Sequence, residues 1–132
     1  MHREFDNVLE QICVCDLRYK RDAYDFVMEA LSHAQRKFKH PKHVSGQELL
    51  EGIKDLLLNK YGPLALSVLN HWGINKTEDF GHIVFNLVNN KILSKTEEDR
   101  FEDFKDGYDF HETFRIGYRR QLEKKISRMR SG

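Results

Sequence analysis

Trp72-Gly73-Ile74-Asn75-Lys76 and the stretch that follows, Thr77-Glu78-Asp79-Phe80-Gly81-His82-Ile83-Val84-Phe85-Asn86-Leu87-Val88, decide how the chain folds. Phe80, Ile83, Val84, Leu87 and Val88 recur at the three- and four-residue steps of one helical face, which predicts an amphipathic α-helix. Asn75 or Thr77 can cap its start. Upstream, Pro63 suits the first turn of a helix that carries Leu66 and Leu69 to about His71, and Gly73 fits the position just past its end. Before that break, Ser45 and Glu48 form an S-x-x-E capping box ahead of the stripe Leu49, Leu50, Ile53, Leu56 and Leu57. Three helices with a tight turn from Trp72 to Lys76 predict a helix-turn-helix core.

Outward from that core, Ile92-Leu93-Ser94 and Tyr108-Asp109-Phe110 can pair as a small β-hairpin, making the fold winged-helix-like. Ser94 with Glu97, and Thr96 with Asp99, also resemble capping boxes, and Phe101 and Phe104 are helix-spaced, so a short helix in residues 95–107 is the alternative. Toward the N-terminus, Phe5, Val8, Leu9 and Ile12 predict one helix, and Tyr24, Val27, Met28 and Leu31 a second, with Asp22 as its N-cap. Pro41 closes the second, because the residue before proline is pushed out of the α region. Val44 reads as the start of a short strand. The expected class is therefore mainly α, with residues 1–114 as one globular domain and residues 115–132 as a basic helical arm.

The chain has 132 residues, 22 Lys plus Arg against 21 Asp plus Glu, and a net charge of +1, so it is neither uniformly acidic nor uniformly basic. Its 39% apolar and 11% aromatic residues exceed what a disordered chain carries, even at a mean hydropathy of −0.68. A packed core is expected. No run approaches the ~18 apolar residues of a membrane span, and no apolar run follows the first residues, which predicts a soluble, cytoplasmic protein. Cys13 and Cys15 are one residue apart, too close for an unstrained bridge, and read as reduced thiols.

His43-Val44-Ser45-Gly46-Gln47-Glu48-Leu49-Leu50-Glu51-Gly52-Ile53, Tyr61-Gly62-Pro63, Trp72-Gly73-Ile74 with Thr77-Glu78-Asp79-Phe80-Gly81, Lys95-Thr96-Glu97-Glu98-Asp99 and Tyr108-Asp109-Phe110 together resemble a small family of uncharacterised bacterial proteins. The resemblance spans roughly Phe5 to Phe114. It implies no activity, and the basic end lies outside it.

Chemistry-bearing residues are sparse. Cys13, Cys15, His40 and His43 are zinc-ligand types, but on a helix residues two apart point ~200° apart, so buried or boundary thiols are expected and no metal. Glu97, Glu98, Asp99, Glu102, Asp103 and Asp106 read as a solvated acidic face. No phosphate-binding glycine loop or nucleophile elbow occurs, so neither an enzyme nor a cofactor is expected. On the outward side of the helix from Thr77, Asn86 and Asn89 could meet base edges, but Glu78 and Asp79 at its start would repel phosphate, which favours a scaffold or a protein contact.

The strongest charge signal is at the end. Arg115, Arg119, Arg120, Lys124, Lys125, Arg128 and Arg130 face Glu123 alone, a net +6 that leaves −5 on the other 116 residues. Ile116, Tyr118, Leu122, Ile126 and Met129 interleave them. Such a segment suits phosphate backbones, an anionic membrane surface, or docking of its apolar face on the domain. A second basic group, Arg36, Lys37, Lys39 and Lys42, can join it in space. The expected function is a non-catalytic module binding nucleic acid or a ribonucleoprotein through these residues, with a protein-interaction adaptor as the alternative.

Overall fold

A computed structural model describes residues 2–40, 44–93 and 101–131, with the side chains of residues 2–5 and 130–131 excepted. Among the described residues six α-helices follow in order: α1 (His2–Cys15), α2 (Arg21–Lys37), α3 (Gly46–Tyr61), α4 (Ala65–His71), α5 (Thr77–Asn89) and α6 (Gly117–Ser131). Short 3₁₀ turns at Gly62–Leu64 and Phe101–Phe104 and a π turn at Glu112–Ile116 join them.

The core forms around α5, whose Phe80, Ile83 and Leu87 are fully buried, each worth about 1.5–3 kcal/mol of transfer free energy. Against it pack Tyr24 and Val27 of α2 and Ile53 and Leu57 of α3. Small residues let α2 and α3 cross closely: a Cβ on Gly52 would lie 2.9 Å from the Ala34 Cβ and 3.1 Å from the Ala30 carbonyl. Tilted and edge-on contacts among Phe26, Tyr61 and Trp72, with centroids 5.2–6.2 Å apart, close one end of the bundle.

Several helix ends follow the sequence reading. The Ser45 hydroxyl accepts from Glu48 N at 3.1 Å, and Glu48 Oε1 accepts from Ser45 N at 3.0 Å. Gly73, at φ +85°, lies just past the Trp72 C-cap. The second helix differs: its N-cap is Lys20, with Asp22 already in the first turn, and its buried stripe is Ala23, Tyr24, Phe26, Val27, Ala30 and Ala34, while Met28 and Leu31 are only partly covered.

The winged helix-turn-helix with its β-hairpin is not formed, and the fold is helical with no strand among the described residues. Ile92 and Leu93 end α5 instead of pairing: both amides donate to the Leu87 carbonyl, at 2.9 and 3.3 Å, with Lys91 in the left-handed region at φ +62°. Asp109 acts as a cap, its Oδ1 accepting from Glu112 N at 2.8 Å, so Phe110 opens a helical segment in place of a strand. Asp109-Phe110-His111-Glu112 carries the D-x-x-E signature of such a start. Val44 likewise lies outside any strand. The capping boxes read at Ser94–Glu97 and Thr96–Asp99 fall outside the described residues.

Helices α4 and α5 are joined by the tight turn through Gly73, and α5 is enclosed by its neighbours. It is no outward-facing recognition helix, since α2 and α3 cover one side and the 3₁₀ turn Phe101–Phe104 covers another. Phe101 stacks on His82 with centroids 4.8 Å apart, and Asp79 is buried.

Candidate functional site

The last helical segment leaves the body along a ladder of four-residue steps. Phe110 and Phe114 are buried, Tyr118 is half-buried against Gly62, and Leu122, Ile126 and Met129 are 43%, 42% and 81% exposed. From Arg119 to Met129 every residue of α6 is exposed. The Leu122, Ile126 and Met129 face is therefore largely exposed, with Leu122 meeting the domain as one wall of a groove. The segment is held through Phe114 and Tyr118, against the Gly62–Leu64 turn and α4, and then projects over a length of about 22 Å for its 15 residues.

Arg115, Arg119, Arg120, Lys124, Lys125 and Arg128 all lie on this exposed segment, and none has a carboxylate within ion-pair distance among the described residues. Arg120, Lys124 and Arg128 follow four-residue steps on a face roughly opposite Leu122, and Arg119 and Lys125 flank the apolar face about 60° to either side. The helix is thus amphipathic and cationic. The Arg130 side chain lies outside the described residues.

The second basic group is not brought to the arm by the described contacts. Lys37 forms an ion pair with Asp55 where α2 crosses α3, and sits 5.5 Å from the Phe38 ring centroid. Arg36 and Lys39 are exposed at the end of α2, with Lys39 at φ +56°. Lys42 and His43 lie outside the described residues.

Between the root of α6 and the Gly62–Leu64 turn runs a groove of about 400 Å³ with Pro63, Leu66, Phe114 and Leu122 as its apolar wall and Arg115, Tyr118 and Arg119 along its rim.

A polar network lies where the α1–α2 turn meets α5. Tyr19 donates to Asp79 Oδ1 at 2.6 Å, and Asp79 Oδ2 accepts from Asn75 N at 2.8 Å and Lys76 N at 3.2 Å. Asp79 thereby satisfies amides at the start of α5, the role the sequence reading gives to Asn75 or Thr77. Arg18 forks onto Asp16 at 2.9 and 2.7 Å, which holds the Asp16 carboxyl well below the usual carboxylate range. The Asn86 amide donates to Asp16 Oδ2 and to the Tyr24 hydroxyl, both at 2.9 Å, so it is committed to packing and does not face a base edge. No periodicity marks these residues, because their partners lie 60 to 70 positions apart.

Burial, and then the hydrogen bond to Asp79, push the Tyr19 hydroxyl above the ordinary tyrosine value. A group raised in the folded state stabilises it fully below the unfolded value of about pH 10 and loses that contribution as pH rises toward the raised native value. Thermal melts of Tyr19→Phe should therefore show about 1 kcal/mol less stability near neutral pH and a flatter decline above pH 10 than the parent chain. Parallel alkaline declines in the two proteins would show that Tyr19 does not carry this linkage.

Cys13 is half-buried, and burial raises its thiol; Cys15 is exposed, two residues further along α1. His40 Nδ1 lies 3.2 Å from Glu48 Oε1, away from both cysteines along the chain and on the capping box of α3. No helix among the described residues is long and apolar enough to cross a membrane. Compared with family models, with curated proteins and with solved structures, the chain finds no match in any of the three.

Proposed function

We propose that the chain is a non-catalytic binding module that holds nucleic acid, free or within a ribonucleoprotein, by contacts from α6 to the phosphate backbone. The observation that carries this reading is the set of six cations, without a carboxylate partner among the described residues, on a helical segment whose residues 119–129 are all exposed. Exposed lysines and arginines that neutralise phosphates release condensed counterions, which makes such contacts favourable and sequence-independent. The Lys37 pair with Asp55 leaves that residue a lesser part, and the arm the main one. Free thiols at Cys13 and Cys15 suit a cytoplasmic setting. The motif resemblance to a small bacterial family adds no activity to this reading.

One observation favours a protein-interaction adaptor as the second reading: the exposed Leu122, Ile126 and Met129 on the same helix. Salt separates the two. If about five cations meet phosphates, the log–log slope of affinity against salt is about −3.5 on single strands to −4.5 on duplex DNA. Arg120→Gln, Lys124→Gln and Arg128→Gln together, all on exposed positions, should make the slope shallower by about 2 to 3 and weaken binding uniformly across sequences. An adaptor predicts no measurable affinity for RNA or DNA at low salt, and a protein partner retained after nuclease treatment.

A further inference from the structure

Resting on the nucleic-acid reading above, we infer that the root of α6 binds single-stranded nucleic acid in preference to duplex, taking a base into the groove that Tyr118 borders together with Pro63, Leu66 and Leu122, with the adjoining phosphates on Arg115 and Arg119. In this groove, cations of the arm border a concave apolar surface. Arg115 and Arg119 stand one helical turn apart on its rim, Pro63, Leu66 and Leu122 form its wall, Tyr118 supplies an aromatic ring, and no acid lines it among the described residues. At about 400 Å³ it lies toward the lower end of the volumes that hold small ligands, large enough for one base.

Chemistry at this scale distinguishes the two forms of nucleic acid. A duplex presents phosphates and sugars to a helix lying along it, and its base faces are stacked away, so Tyr118, Leu122 and Leu66 would gain nothing from it. A single strand presents phosphates and unstacked base faces side by side, which matches a row of arginines beside an aromatic and aliphatic wall. The more distal Arg120, Lys124 and Arg128, on the face away from Leu122, serve either form equally. The preference therefore resides in the groove, and the general affinity in the rest of the arm.

The test is fluorescence anisotropy with a labelled uridine 12-mer, a labelled thymidine 12-mer and a labelled 12-base-pair duplex, each titrated with the full chain, with Tyr118→Leu and with Leu122→Ser, all three proteins first shown to melt cooperatively. The full chain should bind both single strands about tenfold or more tightly than the duplex. Tyr118→Leu should weaken single-strand binding about fivefold or more and leave the duplex nearly unchanged. Leu122→Ser, at an exposed position, should act in the same direction and answers for the groove if Tyr118→Leu does not fold. Equal affinity for single strand and duplex, or a loss that is proportional for both, overturns the groove while leaving phosphate binding by the arm intact. Binding to none of the three probes at low salt overturns both.

Discussion

Gly73→Ala should lower stability by about 3 kcal/mol, equivalent to a fall of about 11 °C in the thermal midpoint for a chain of this length. Two causes act at once. Gly73 sits at φ +85°, where an alanine is strained, and its Cβ would stand 2.1 Å from the Arg18 carbonyl oxygen, a backbone atom that cannot rotate away. The turn is tied on both sides, since Ile74 N donates to the Leu69 carbonyl at 2.9 Å and Lys20 N donates to the Trp72 carbonyl at 3.2 Å. Relief of the clash must separate the α4–α5 turn from the α1–α2 turn, and with it Tyr19 from Asp79. Gly73→Asn distinguishes the causes: asparagine tolerates the left-handed region better but carries the same Cβ. A midpoint restored by asparagine assigns the loss to dihedral strain, an equally low one assigns it to the Arg18 contact, and an unchanged midpoint for alanine removes both.

That turn was legible because a glycine directly after a helical stripe marks a left-handed C-terminus, a conformation that other residues enter only at a cost. The Ser45–Glu48 box and the buried face of α5 were legible in the same way. Each is local: the signal and the structure it makes lie within a few residues of one another. The hairpin failed for the complementary reason. Ile92-Leu93 and Tyr108-Asp109-Phe110 have strand-like composition, but the amides of Ile92 and Leu93 are taken by the α5 terminus, and Asp109 caps the helical segment from Phe110. Local capping competes with strand pairing over an intervening loop and wins because its closure entropy is smaller. Asp109 and Glu112 carried that information, hidden by the aromatic residues beside them.

The candidate site was legible in part. The charge of the arm is plain in the sequence, and the structure sets its cations on an exposed helix without carboxylate partners among the described residues. What composition cannot show is where the apolar ladder leaves the body: Phe110, Phe114, Tyr118 and Leu122 have the same spacing, yet burial ends between Phe114 and Leu122. Asn86 shows the opposite error, an outward polar residue by helical phase that Asp16 and Tyr24 claim from another part of the chain. Long-range polar pairing leaves no period to read.

Thr77→Val should cost about 2–4 kcal/mol although it changes side-chain volume little, and it tests how the arm is anchored. Thr77 is 1% exposed; its hydroxyl donates to the Phe104 carbonyl at 2.6 Å and accepts from Gly107 N at 3.0 Å. Valine fills the same space, so no cavity opens, but the Phe104 carbonyl loses a buried partner, at about 1–3 kcal/mol, and the amide of the exposed Gly107 loses a part-buried one, at about 1 kcal/mol. These two bonds join the segment 104–107 to the start of α5, and that segment leads through the Asp109 cap into Phe110, Phe114 and α6. Thr77→Ser keeps the hydroxyl and should recover most of the loss, which separates the hydrogen bonds from packing. Hydrogen exchange gives the second readout: in Thr77→Val the amide of Gly107 should exchange faster, and the amides from Glu112 to Tyr118 should follow it, while those of α2 and α3 should change only as far as global stability does. Faster exchange confined to Gly107 would mean that the root of α6 is held by Phe114 and Tyr118 alone. Unchanged stability in valine would show that water replaces the hydroxyl and that the pairing is not an anchor.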